Sequence, residues 1–185
     1  MNFQRERESI LHWSTLKFRT YRLKDIFEKI KTNKIKRNNS GNLWATTCTL
    51  SNNQLGARVN TEGATILNKA ISVTANGTAK SFYQSHDFTV LQDSYALKLK
   101  GSKNISLTSG LYLITNLNNI LSKYNWNNKS GWEKIKNEEI SLPISSNNEI
   151  NFDFIDTFIN AIQKITIDDI KNKADKKLDI LRKII

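Results

Sequence analysis

Residues 153–185 read DFIDTFINAIQKITIDDIKNKADKKLDILRKII. Apolar side chains return at Ile155, Ile159 and Ile162, then at Ile167, Ile170, Ala174, Leu178, Leu181 and Ile185, in steps that mostly alternate between three and four. That spacing lays a single stripe along a helix. Continuous from Ile155, such a helix would extend about 46 Å at ~1.5 Å per residue, more than the core of one small domain normally requires. The stripe is narrow and flanked by Lys and Asp, which suits a coiled-coil seam, with Ala174 and the step from Ile165 to Ile167 marking a kink or register change. The expected organisation is a domain over 1–150 followed by a helical arm over 151–185. A helix packed on its own domain is the alternative.

Upstream of the arm the periodicities are mixed. TYRLKDIFEKIK (20–31) sets Leu23, Ile26, Phe27 and Ile30 at helical spacing behind Thr20 as a cap, so a short helix is expected. KTNKIKRNNSGN (31–42) is a turn-rich basic loop, LWATTCTL (43–50) favours a strand, and SNNQLGARVN (51–60) reads as a loop. Ile66, Ala70, Ile71 and Val73 are strand material up to an Asn76-Gly77 turn, and Ser81–Tyr83 begins another strand. FTVLQDSYALKLK (88–100) alternates Tyr95, Leu97 and Leu99 as a half-buried strand does. Leu111, Leu113, Ile114, Leu117, Ile120, Leu121 and Tyr124 predict an amphipathic helix over 109–124 with Ser109 as its cap. NWNNKSGW (125–132) is an Asn-rich loop, and IKNEEISLPI (135–144) reads as a strand ending near Pro143. The fold class is α/β in the broad sense: an α+β domain of mixed strands, then a long C-terminal helical arm.

Composition excludes several classes of protein. Leu, Ile, Val and Phe number 51 of 185 residues, enough for a packed core. One Cys excludes a disulfide scaffold and a cysteine zinc cluster, and two His cannot make a histidine metal site without several carboxylates; no metal and no cofactor is expected. No two of the seven Gly lie closer than seven positions, so neither a Gly-x-Gly dinucleotide fingerprint nor a P-loop can be written. The single Pro143 rules out an Asn-Pro-Pro-Tyr amino-methyltransferase motif. No apolar run approaches the ~18 residues of a membrane span, and MNFQRERESILHW lacks the apolar stretch of a signal peptide, so a cytoplasmic protein without a membrane partner is expected.

The charge is polarised. The chain carries 28 basic and 17 acidic side chains, a net +11; residues 1–103 hold +10 of it and residues 104–185 only +1. Lys17, Arg19, Arg22, Lys24, Lys29, Lys31, Lys34, Lys36 and Arg37 fall within 21 positions, opposed by Asp25 and Glu28 alone. Such a segment suits a polyanion, with a solvated basic face as the plain alternative.

Catalytic patterns are weak by comparison. Cys48 and His86 could be nucleophile and base but come with no motif. Glu138-Glu139 and Asp168-Asp169 are adjacent and point to different sides of their elements. Asp169-Ile170-Lys171 has a nuclease-like Asp-x-Lys form but lies on the arm, with no strand-borne carboxylate before it. No enzyme is expected. The loops at 31–42, 51–60, 74–84 and 125–132 instead mix Asn, Gln, Ser and Thr with Lys, Arg and aromatics. Asn, Gln and Arg pair bidentately with base edges, while Lys, Ser and Thr serve phosphates.

The order of segments resembles the target recognition domain of the DNA specificity subunits of Type I restriction-modification systems. It is carried by RLKDIFEKIKTNKIKRN (22–38), ATTCTLSNNQLGARV (45–59), ISVTANGTAKSFYQ (71–84), FTVLQDSYALKLK (88–100), WEKIKNEEISLPIS (132–145) and EINFDFIDTFINAIQKI (149–165). In that family a recognition domain is followed by a long helix, and complete subunits usually hold two such units whose helices pair antiparallel. This chain has one, so the resemblance implies a half-subunit that dimerises through its helix and reads a split palindrome; a truncated product or one half of a larger polypeptide is the alternative. It also implies that methylation and cleavage reside in partner subunits.

The expected roles follow. Lys31, Lys34, Lys36, Arg37 and Lys80 contact phosphates of double-stranded DNA; Asn52, Asn53, Gln54, Arg58, Asn76 and Gln84 read base edges; Asn127, Lys129 and Ser130 add contacts from the fourth loop. Tyr83 and Trp126 either anchor loops or stack where a base is flipped. Ile155, Ile159, Ile162, Ile170, Ala174, Leu178, Leu181 and Ile185 bind a second copy and the methyltransferase subunit, with the restriction subunit in the same complex. The alternative from another class is a non-catalytic interaction protein that mimics a specificity subunit and inhibits or scaffolds the complex; acidic loops would favour it, and these are basic.

Overall fold

Strand β1 (Lys17–Arg22) runs into a single helical turn, α1 (Leu23–Ile26), and strand β2 (Phe27–Lys29) follows at once. The computed structural model of the chain describes residues 16–33, 35–38, 40–102 and 104–182. The helix expected over 20–31 therefore shrinks to four residues. Phe27, Glu28 and Lys29 pair antiparallel with Leu99, Lys98 and Leu97, and a sheet that can satisfy those backbone groups overrides a weak helical spacing. The short turn is pinned by Leu23 N donating to Glu138 O and Lys24 N to Lys136 O.

Two sheets make the body of the domain. Strands β2, β8 (Ser94–Leu99), β5 (Ala70–Thr74) and β6 (Ser81–Gln84) lie side by side in that order. Strands β4 (Leu55–Val59), β3 (Leu43–Thr46) and β7 (Phe88–Val90) form the second, in which β3 is antiparallel to β4 and parallel to β7. Strand β9 (Glu139–Ile144) pairs with β1. The loop expected over 51–60 is thus half strand: its apolar positions Ala57 and Val59 face Ala45 and Leu43 in the register and join their core, with Ile35 packed against it. The opposite face of the same sheet carries Phe88 and Val90 into a second core with Leu67, Ala70 and Ala96. Strand β8 is buried on both faces except at Lys98, rather than half-buried: Ala96 joins the core of Leu67, Ala70, Phe88 and Val90 on one face, while Tyr95 on the other is covered where its OH donates to Ser130 O.

Helix α2 (Leu107–Leu121) starts two residues earlier than its apolar pattern suggests, since Ser106 rather than Ser109 caps it, its Oγ accepting from Ser109 N at 3.0 Å. Leu113, Leu117 and Leu121 are fully buried. Gly110 sits where the Tyr83 ring comes so close that a Cβ would stand 2.4 Å from it. A short helix α3 (Trp132–Ile135) precedes β9.

The chain divides into two compact units, one of Phe18–Leu142 and one that takes Lys17 and everything from Pro143 onward. In the second, Ile144 bridges to Ile150 across a turn at Asn148 (φ 62°), and Asn151 Oδ1 accepts from Phe154 N to open helix α4 (Phe152–Arg182). Its 31 residues are helical without a break through Ile165–Ile167 and Ala174, so the step in apolar spacing is absorbed without interrupting the hydrogen-bond ladder. Ile155 and Ala161 are buried, and from Asp169 to Arg182 every residue is exposed.

Candidate nucleic-acid interface

The loop after β3 makes an unusual turn. Asn52, Asn53 and Gln54 all adopt left-handed φ values, 47°, 52° and 70°. Three such residues in a row are strained unless their surroundings hold them, although Asn tolerates the region better than most. They are held by two glutamines. Gln54 is fully buried and its Nε2 donates to Thr47 O at 2.8 Å. Gln84, buried at the end of β6, donates through Nε2 to Asn53 O (2.7 Å) and Ser72 Oγ (2.9 Å). Asn53 Nδ2 returns a bond to Tyr83 O at 3.0 Å. The outcome is a rigid turn that presents Asn52 and Asn53 to solvent.

Four residues beyond the turn, on β4, Arg58 lies directly opposite Trp44 in the β3–β4 register. Its guanidinium carbon lies 3.7 Å from the indole centroid. Arg37, from the basic loop, reaches Gly56 O on the same strand at 3.4 Å. Trp44, Asn53, His86 and Asp87 share the wall of a small cavity of about 160 Å³. Lys31 and Lys36 are exposed and line, with Lys29, Leu91 and Tyr95, a groove of about 650 Å³.

A second cluster forms at the other end of the β5–β6 hairpin. The 75–80 tip is joined to the 125–131 loop by Ala79 N donating to Tyr124 O and by Ser130 Oγ donating to Thr74 O at 2.6 Å, while Tyr95 OH donates to Ser130 O. Trp126 stands beside Gly77 (φ 83°) and is 66% exposed. Asn127, Lys129 and Lys80 are exposed too. The base of the loop is fastened by Glu138, which accepts from Lys123 Nζ and Tyr124 OH, each at 2.5 Å. Those bonds hold its carboxyl below the usual range, and burial together with Glu138 pushes the Tyr124 hydroxyl up to about 12. Because Ala70 pairs with Gln84 and Val73 with Ser81, the two clusters sit at opposite ends of one hairpin rather than in one patch.

Residues 16–172 match the family model described as Type I restriction modification DNA specificity domain. The chain belongs to that family. Three solved structures resemble this specificity domain. They are the Type I restriction-modification S subunit from M. genitalium (TM-score 0.59, 13% identity, 91% of this chain and 43% of that one) and the HsdS subunit from Thermoanaerobacter tengcongensis (0.55, 13%, 89% and 46%). The third comes from work on complex assembly and conformational transition of the type I R-M system (0.58, 13%, 97% and 50%). At that identity the likeness is one of fold. The specificity domain spans half or less of the length of each of these chains. No curated protein matches it.

Several expected roles in the specificity domain are corrected by burial. Gln54, Gln84 and Ser130 cannot present base-reading or phosphate-binding groups, because they are buried and spend their donors on neighbouring carbonyls and hydroxyls. Tyr83 is a loop anchor: it is buried, its OH donates to Ile105 O at 2.6 Å, and no base can stack on it. Asn76 is half-buried with its amide on Asp93 Oδ1 at 2.6 Å, so it shapes the tip. Ile155 is fully buried within the chain and is unavailable to a partner, and Ile159 is half-buried. Lys34 and Ile185 lie outside the described residues. The His86 ring shares a hydrogen bond with Ser85 Oγ rather than with the exposed Cys48. Among the described residues, no group of His, Cys, Asp and Glu is placed to hold a metal, and no helix is long and apolar enough to cross a membrane.

Sequence reading overlooked Trp44, taken only as strand material. The signal was present, since reading 55–59 as a strand places an Arg across from an aromatic.

Proposed function

We propose that the chain is the sequence-reading component of a Type I restriction-modification assembly in the cytoplasm. It binds double-stranded DNA and directs a methyltransferase subunit, and with it a restriction subunit, to a target site; it performs no chemistry of its own. The observation that carries the reading is the held turn at Asn52-Asn53 together with Arg58 stacked on Trp44, which shares a cavity wall with Asn53: base-reading side-chain types on fixed supports, with exposed lysines in the basic loop. Lys31, Lys36, Arg37 and Lys80 contact phosphates; Asn52, Asn53 and Arg58 read bases; Trp126, Asn127 and Lys129 extend the footprint from the other end of the hairpin. The domain over 1–150 carries recognition and the arm over 151–185 carries assembly.

Two copies pair through the arm. Ile162, Ile170, Leu178 and Leu181 are exposed, Ile170 at 62%, which is costly for aliphatic side chains unless a partner covers them. A symmetric pair places two recognition domains on one bipartite site. The test is to map methylated positions in the host genome with and without the chain. One bipartite motif should lose methylation when the chain is deleted; an unchanged methylation map overturns the proposal.

A further inference from the structure

We propose that Arg58 reads a guanine of the target, and that Trp44 is the positioning residue that makes this reading selective. The inference rests on the DNA-recognition reading above and deepens it by naming a base and a residue that holds its reader.

The geometry is specific. Trp44 and Arg58 are direct cross-strand partners, and the guanidinium lies over the indole at 3.7 Å. Nη1 donates to Asn42 O at 2.5 Å, which fixes rotation of the plane about the stack. Among the described residues no carboxylate pairs with Arg58, and its remaining N–H groups meet no protein acceptor. An arginine pinned flat on an aromatic and clamped at one corner has already lost most of its rotamer freedom, yet its remaining donors are still to be satisfied. The partner that matches such a planar fork is a pair of acceptors in one plane. Guanine O6 and N7 in the major groove are that pair.

A phosphate also accepts from arginine, but it needs charge more than a fixed plane, and the exposed Lys31 and Lys36 of the basic loop supply that. The indole adds a second link. It shares a cavity wall with Asn53, so the turn that presents Asn53 and the stack that presents Arg58 have one support between them, and neighbouring bases would be read in fixed register.

The experiment selects duplexes from a pool with a randomised window, using the full chain and the variants Arg58→Ala, Arg58→Lys, Trp44→Phe and Trp44→Leu. Binding of each to the selected duplex and to a motif-free duplex is then measured across a salt series. The wild-type motif should contain a guanine whose preference falls by roughly fivefold to a hundredfold in Arg58→Ala, the range for a good bidentate pair, while the other positions keep theirs. Arg58→Lys should not restore it, because an ammonium has no fork. Trp44→Phe should keep the preference and Trp44→Leu lose roughly half of it on a logarithmic scale, with salt slope and motif-free binding unchanged in both.

A motif unaltered by Arg58→Ala overturns the assignment alone. Uniform weakening with a salt slope smaller by about one makes Arg58 a phosphate contact and overturns it equally. Equal behaviour of Trp44→Leu and Trp44→Phe overturns the positioning role. A wild-type chain that enriches no motif overturns the DNA-recognition reading beneath, and the guanine with it.

Discussion

Replacing Gln84 by Leu keeps the side-chain volume nearly constant, so little of its effect comes from an empty cavity. What is lost are two donated hydrogen bonds, to Asn53 O at 2.7 Å and to Ser72 Oγ at 2.9 Å, and a longer one accepted from Asn53 Nδ2, all at a side chain that is itself buried. A typical bond contributes about 0.5–1.5 kcal/mol net, and a buried group left without its partner costs more, so the change should destabilise by about 2–3 kcal/mol. For a chain of this length each kcal/mol moves Tm by about 2–4 °C, and the expected fall is about 4–12 °C in thermal unfolding followed by circular dichroism at fixed protein concentration. DNA binding should change in kind as well. With the Asn52–Gln54 turn no longer held, preference among sequences should relax while the salt slope stays constant, because no cation has been removed. A Tm within about 2 °C of wild type, together with an unchanged motif, would refute the argument that Gln84 holds the reading turn.

Four further outcomes follow from the same structure. Lys36→Ala should weaken binding to all duplexes alike and reduce the salt slope by about one; an unchanged slope would leave the loop a mere solvated surface. Gly110→Ala should destabilise by about 1–3 kcal/mol, because a Cβ 2.4 Å from a Tyr83 ring tethered through its OH forces a shift, and adding Tyr83→Leu should recover part of the loss in urea unfolding. The Glu138 carboxyl has a folded pKa below its ordinary 4.5, so its contribution to stability is complete above that value and disappears as pH falls through the lowered one; Glu138→Gln should flatten the urea midpoint measured from about pH 6 to pH 3. Leu178→Asp should convert a dimer to a monomer by light scattering without unfolding it, since Leu178 is exposed, whereas the same change at the buried Ile155 should unfold the chain; an unaltered mass for Leu178→Asp would reject the seam.

The arm was legible because its signal is local. A stripe at three and four residue spacing over some thirty positions is a property of one segment, and helix α4 follows it from Phe152 to Arg182. Helix α2 was legible for the same reason, though its cap is Ser106 rather than Ser109 and it ends at Leu121, short of Tyr124. Strand pairing is not local, and there the reading failed in particular places. At 27–29 the pattern suited a helix, but β8 supplied backbone partners for a strand. At 55–59 a run of polar and small residues hid Ala57 and Val59, whose burial depends on β3 lying beside them.

The same division runs through the candidate interface. Composition and order by themselves determined that the chain is basic in its first 103 residues, poor in the motifs of catalysis, and arranged as a domain with a long helix. They placed polar side chains of the right types on loops but could not separate those that face solvent from those that hold the loop together. Gln54 and Gln84 are chemically as fit to read adenine as Asn52 and Asn53. Only the tertiary structure decided between them, by burying the glutamines against Thr47, Ser72 and the Asn53 carbonyl while Asn52 and Asn53 stay exposed, each with its Nδ2 on one carbonyl, Leu55 O and Tyr83 O. The physical reason is that a buried amide must find all of its partners inside the protein, whereas an exposed one that gives a single N–H to a carbonyl keeps its second N–H and its oxygen for a base edge.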